Sequence, residues 1–248
     1  MVMGRMEHID TALQARQQVI AHQLEAFPGA QWIAVSKYAQ DEAVLAAYHL
    51  GIRHFGENYV QDALARQERF AHCPDIQWHL IGPLQRNKVA KVVGRFYRIH
   101  SVDSVALAEK ISAVAVNQGI VQAILLQVNV SREPQKNGFL PEALTDNSAQ
   151  VMCALGALPG IQVCGFMGMT PTPDSLASPV NRVQAVHAAF EAMVALREKL
   201  LRETEMSLEE LSMGMSDDYE IALTYGATWV RIGRQFFGGL QGEKGVSL

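Results

Sequence analysis

The feature that most constrains this chain is an alternation of two periodicities. Eight short apolar segments of strand length lie at residues 31–36, 52–56, 76–81, 97–100, 122–130, 161–167, 210–213 and 229–232. Stretches whose apolar residues fall three and four apart separate them, including 41–50, 59–70, 104–116 and 182–201. Asp41 and Asp103 stand where an N-cap belongs. A further amphipathic helix, 5–26, precedes the first strand and is closed by Pro28 and Gly29. Eight strand-then-helix units in 248 residues predict an α/β fold, a (β/α)8 TIM-type barrel with an extra N-terminal helix. A doubly wound open sheet is the alternative arrangement of the same units. No Pro- or Gly-rich linker interrupts them, so residues 1–248 read as a single domain.

Composition narrows function by exclusion. A net charge of −4 argues against a general surface for nucleic acid or anionic membrane. No segment approaches the roughly 20 apolar residues of a membrane helix, and the first residues carry no secretory signal. Cys73, Cys153 and Cys164 are odd in number and widely spaced, which fits reduced thiols in a cytoplasmic protein. The eight histidines show no ligand spacing, so no metal is expected. The run Arg86, Lys88, Lys91, Arg95 and Arg98 reads as a solvated helix face, with a surface for nucleic acid or an acidic partner as the alternative.

In such barrels the chemistry gathers at the C-terminal ends of the strands. Of the seven lysines only Lys37 directly follows an apolar strand; the other six, Lys136 among them, read as solvated. Alternation puts Lys37 on the face of Ile33 and Val35. If that face lines the barrel, partial desolvation favours the neutral amine that attacks a carbonyl. On spacing alone, a lysine snorkelling at a strand end is the commoner arrangement.

The loops after strands seven and eight often bind phosphate in barrels. Here they run from Ser212 to Asp218 and from Arg231 to Arg234. Gly214 is expected to let the backbone approach a ligand, and Ser216 to offer a hydroxyl and cap the next helix. Gly233 repeats the device and Arg234 adds a cation. Gln77 with His79, and Gln127 with Asn129, share strand faces; they line a pocket or form a hydrogen-bonded core. Met167, Met169, Met213 and Met215 are expected around the pocket or barrel top. A lysine facing a phosphate site fits a pyridoxal phosphate protein or a class I aldolase-like enzyme. Arg231 bears on the choice, because a guanidinium has no acceptor and would hold a pyridine nitrogen unprotonated. That weakens the ring as an electron sink.

Motifs along nearly the whole chain carry a resemblance. They are AVSK (34–37), HFGENYVQ (54–61), WHLIGPLQRNK (78–88), SVDS (101–104), QVNV (127–130), SMGMSDDYEIAL (from Ser212) and RIGRQFFG (231–238). In these the chain resembles the pyridoxal phosphate homeostasis protein family, stand-alone relatives of the alanine racemase N-terminal domain. The resemblance implies a type III pyridoxal phosphate barrel with Lys37 as the Schiff-base lysine. It also implies phosphate ligands at Ser216, Gly233 and Arg234, Arg231 at the pyridine nitrogen, and Asn58 and Met213 at the cofactor. The family usually has Thr where Arg234 stands, and a smaller residue where Tyr38 follows the lysine.

Two functions fit that resemblance. One is a non-catalytic carrier that buffers pyridoxal 5′-phosphate and passes it to apo-enzymes, here expected as a monomer. The acidic partner of the basic run from Arg86 to Arg98 would then be a recipient enzyme. The other is an amino-acid racemase, which needs acid/base groups on both faces of the cofactor. Alanine racemase takes one of these from a second, β-rich domain, and that domain is expected to be absent from a chain ending at Leu248. The carrier is therefore the favoured expectation.

Overall fold

The computed structural model describes residues 2–145, 148–171 and 179–240. Strands β1 (Gln31–Val35), β2 (His54–Glu57), β3 (Gln77–Leu80) and β4 (Arg98–Val102) are followed by β5 (Gln122–Val128), β6 (Ile161–Gly168), β7 (Glu210–Met215) and β8 (Trp229–Ile232). They close in that order into a barrel. Every neighbouring pair is parallel, and β8 returns to β1 with Arg231 opposite Ile33. That last pairing excludes the open sheet. All eight expected strands are present; β7 runs two residues further than its sequence pattern.

The helices are α1 (Val2–Leu24), α2 (Asp41–His49), α3 (Val60–Arg69), α4 (Val89–Val92), α5 (Val105–Gln118), α6 (Pro141–Thr145), α7 (Ser148–Gly156), α8 (Pro179–Glu203), α9 (Tyr219–Thr224) and α10 (Arg234–Phe237). The main apolar core includes Ala34, Phe55, Leu80, Ile99 and Ile232 from strands, with Val44, Ala63 and Ile111 from helices. Each large side chain buried there contributes roughly 1.5–3 kcal/mol. The extra helix α1 buries Ile9, Leu13 and Ile20 in the same core. Its Arg16 donates to the carbonyls of Phe236 and Gly238 at 2.7 and 2.8 Å, which satisfies the C-terminal end of α10.

Neither expected N-cap is one. Asp41 is the first residue of α2, behind Gln40, and its carboxylate is committed to Arg66 and Arg69. Asp103 precedes the cap position, which Ser104 occupies in extended backbone. The basic run is also not one face. Arg98 turns inward at the barrel floor, pairs with Glu210 and stacks on the Tyr97 ring, while Arg86, Lys91 and Arg95 are exposed.

Candidate functional site

Alternation along the strands decides what the barrel holds. Residues out of phase with the main core point inward. On β5 and β6 these are Leu125, Cys164 and Met167, a small apolar cluster of their own. On β2, β3, β4, β7 and β8 they include His54, His79, His100, Ser212 and Arg231, which are hydrogen-bonded to one another. His79 therefore belongs to a hydrogen-bonded core and not to a pocket wall. Gln127 and Asn129 donate to loop carbonyls of Asn137, Glu133 and Lys136, and so fold the β5–α6 loop over the barrel end.

At the C-terminal end of the barrel lies a cavity of about 500 Å³. Val35, Lys37, Asn58, Ser216, Arg231 and Gly233 line it, together with Met169 and Met215. Lys37 also faces an adjoining cavity of about 480 Å³, which Tyr38 and Phe237 share. The lysine is half-buried, with Nζ 5.0 Å from the centre of the Tyr38 ring. Of the expected cofactor residues, six meet here: Lys37, Asn58, Ser216, Arg231, Gly233 and Arg234. Met213 does not. It is fully buried in the main core, and Met215, two residues on and past a register shift in β7, takes the place at the cavity wall.

The phosphate side differs from expectation in three ways. Ser216 does not cap its own helix. Its hydroxyl accepts the N–H groups of Gly233 and Gln235, both at 3.3 Å, at the start of α10. Two N–H donors thus converge on one oxygen at the cavity wall, which is the arrangement an anion oxygen would share. Gly214 has φ +90°, and a Cβ there would lie 2.6 Å from the Ala222 methyl and 2.8 Å from Tyr219 Cα. It admits α9, not a ligand. Arg234 turns to the exposed rim, where it donates to Asp217 at 2.5 Å. Gly233 lines the cavity but is packed against β1, where a Cβ would lie 3.2 Å from that of Val35.

The lysine loop is held from beneath by Glu57, at the end of β2, and by Arg66 of α3, a residue that strand-end reasoning passed over. Glu57 is buried and accepts from Ser36 Oγ at 2.6 Å and Arg66 Nη1 at 2.5 Å. Arg66 also donates to the carbonyls of Ser36 and Ala39, both at 2.7 Å, and to Asp41 at 3.1 Å. The residues on either side of Lys37 and Tyr38 are therefore tied to one guanidinium. Burial pushes the Glu57 carboxyl up, and Arg66 and Ser36 pull it back. Lys136, expected in solvent, donates to the Thr170 carbonyl at 2.8 Å, pairs with Glu133 and lines the cavity. Asp218 accepts from Thr170 Oγ1 and the Met215 N–H, both at 2.6 Å, and pins the β6 and β7 loops together. An acidic residue directly after the Ser216 loop was the only sequence signal for that role.

Arg231 is held differently. It is buried and donates to Ser212 O at 2.6 Å, Ser212 Oγ at 2.8 Å and Gly168 O at 3.0 Å. All three acceptors are uncharged. Burial pulls the guanidinium down to about 10, so it remains protonated at neutral pH.

An amine, a serine hydroxyl that gathers two backbone N–H groups and a buried guanidinium around one cavity of an eight-stranded barrel define a class, that of the barrel-type pyridoxal phosphate-binding proteins. The family described as "Alanine racemase, N-terminal domain" matches residues 9–241. Among curated relatives, the pyridoxal phosphate homeostasis protein of Pseudomonas aeruginosa is 41% identical over 206 residues, 83% of each chain. That of Vibrio cholerae is 35% identical and covers 96% of this chain and 95% of its own. This chain belongs to the pyridoxal phosphate homeostasis protein family. Among solved structures, PipY of Synechococcus elongatus without the cofactor superposes with a TM-score of 0.81 at 39% identity, covering 91% of this chain and 100% of its own. The same protein with pyridoxal phosphate bound gives 0.77. An alanine racemase of Clostridium difficile shares the fold, with a TM-score of 0.75 at 13% identity.

Proposed function

We propose that this protein holds pyridoxal 5′-phosphate as a Schiff base on Lys37, for intracellular vitamin B6 homeostasis, and passes it to apo-enzymes without turning over a substrate. The observation that carries the reading is the shared cavity: Lys37, Arg231 and the Ser216–Gly233 cradle line one space of about 500 Å³. Bound there, the cofactor supplies an aldehyde for the amine and a ring that can accept electrons. The phosphate falls to Ser216 and the N–H groups of Gly233 and Gln235. Arg231 serves the ring nitrogen, and Asn58 borders the cofactor from the β2 loop. A guanidinium at that nitrogen favours storage over carbanion chemistry, because it cannot hand over its proton. The half-exposed lysine suits a cofactor that must leave. Among the described residues no helix is long and apolar enough to cross a membrane; we place the protein in the cytoplasm and expect it to act as a monomer.

The test combines transfer with turnover. Protein loaded with cofactor is mixed with an apo-enzyme, and activation is followed against free cofactor. Activation accompanied by loss of the Schiff-base absorbance is expected. Sustained racemisation of single L-amino acids by the loaded protein would establish an enzyme instead. Lys37→Ala should lose the absorbance band completely, and a band that persists unchanged would remove the lysine from its role.

A further inference from the structure

The barrel interior carries a polar system that cofactor binding does not by itself require. His54 Nδ1 lies 3.0 Å from His79 Nε2, His79 Nδ1 lies 2.9 Å from His100 Nε2, and His100 Nδ1 lies 2.9 Å from Ser212 Oγ. Ser212 Oγ in turn receives Arg231 Nη1 at 2.8 Å. The four residues come from β2, β3, β4 and β7, so the column crosses the barrel from the first residue of β2 to the guanidinium at the cavity. His79, His100 and Ser212 are fully buried.

Arg231 gives this column a direction. A guanidinium only donates, so Ser212 Oγ must accept from it. The one hydroxyl hydrogen of Ser212 then goes to His100 Nδ1, the acceptor facing it. His100 donates from Nε2 to His79 Nδ1, and His79 from Nε2 to His54 Nδ1. The opposite direction makes Ser212 accept twice and strands its hydrogen in a fully buried site. A charged His100 would do the same, beside a cation. The groups packed around the column work against a charge as well. Arg231 lies at one end, and Arg98 of β4, paired with Glu210 of β7, lies at the floor. The rings of Tyr97 and Trp229 enclose His54 and His79. Burial and these cations hold all three imidazoles below the usual histidine range.

We propose that Ser212 and His100, backed by His79 and His54, form a one-way column that positions Arg231 as a charged donor toward the ring nitrogen of the cofactor. The column fixes the guanidinium without giving it a carboxylate, so its charge stays available to the ligand. All three imidazoles are neutral and carry their hydrogen on Nε2. Ser212 and His100 are positioning residues; they act through Arg231. The proposal rests on the cofactor reading above for the group that Arg231 faces.

Two experiments test it. In cofactor-free protein with 15N-labelled histidine, three exchange-protected imidazoles should show protonated Nε2 and bare Nδ1, unchanged from about pH 8 to about pH 6. A buried imidazole that is charged, or protonated on Nδ1, overturns the direction. In loaded protein, Ser212→Ala should weaken cofactor binding about ten-fold, the scale of one lost hydrogen bond to a charged group. It should also make the Schiff-base spectrum pH-dependent, because the ring nitrogen can then take a proton. Ser212→Thr, which restores the hydroxyl, should recover both. Native affinity and a native pH profile in Ser212→Ala would overturn the positioning role. If Lys37→Ala keeps its band, the cofactor reading has failed and not the column.

Discussion

The two sides of the cavity hold a cation each, and they hold them in opposite ways. Beneath Lys37, Arg66 is neutralised by Glu57 and Asp41 and spends its donors on the loop carbonyls of Ser36 and Ala39. On the neighbouring strand β8, Arg231 has Ser212 and Gly168 as acceptors and no carboxylate in contact. The first guanidinium is structural and its charge is cancelled. The second keeps its charge at a burial cost that Asp218 offsets in part and through space, not by contact. The lysine side is thus built before any ligand arrives, while in the proposed function the Arg231 side is completed by the cofactor.

The largest effect should come from breaking the cancelled side. Arg66→Ala leaves Glu57 buried without its cation and unties the β1–α2 loop. A loss of roughly 3–5 kcal/mol is expected, read as a lower urea midpoint in protein without cofactor. A change below about 1 kcal/mol would show that Glu57 is protonated and the pair dispensable.

Acid should separate the sides next. His54, His79 and His100 are depressed by burial in the fold and take up protons on unfolding. Their contribution is fully present above the unfolded value of about 6.5 and is lost as pH falls below it. Glu57 and Glu210, pushed up by burial, act with the opposite sign; protonation relieves them as pH falls. Stability measured by denaturant should therefore fall from neutral pH toward pH of about 5, and less steeply in His79→Gln than in the parent. A stability that rises over that interval would place the carboxyls, not the column, in control.

The third effect bears on the ligand alone. Ser216→Ala removes the oxygen on which the Gly233 and Gln235 N–H groups converge, but leaves those donors in place. Cofactor affinity should drop about ten-fold with stability nearly unchanged, as expected for one hydrogen bond to a charged phosphate. Titration against the Schiff-base absorbance measures it. Unaltered affinity would put the phosphate elsewhere.

These residues were not equally legible in the sequence. The barrel was, because period-two and period-3.6 patterns survive in any chain whose strands bury both faces against different layers. Lys37, Ser216, Arg231 and Gly233 were, because strand ends are countable. The supports were not. Arg66 looks like one more cation on an amphipathic helix, and its link to Glu57 spans a loop and a turn. Lys136 looks solvated until the β5–α6 loop folds back. His54, His79 and His100 have no ligand spacing because they stack across neighbouring strands and not along one. Met213 was misplaced because the register of β7 shifts between Ser212 and Met215, so that Met215, two positions on, reaches the cavity. Gly214 was assigned to a ligand when its neighbour is a helix.

The smallest effect concerns the family departure at Arg234. Its side chain is 76% exposed and pairs with Asp217, which Arg182 also reaches at 3.4 Å. An exposed pair of this kind holds its charge mostly in solvent, and salt screens it further. The main chain at this position already starts α10 beside the cradle, whatever the side chain does. Arg234→Thr should therefore change cofactor affinity less than about three-fold at physiological salt. At low salt the parent should gain over the variant, because a guanidinium at the rim still attracts a dianion over a Debye length of about 30 Å at 0.01 M. The association rate of cofactor, followed by stopped-flow at both ionic strengths, separates the two cases. A ten-fold loss in Arg234→Thr that persists at high salt would mean that the arginine leaves Asp217 and closes on the phosphate. The charged residue would then belong to the Arg231 side of the comparison, a cation held in reserve for the ligand.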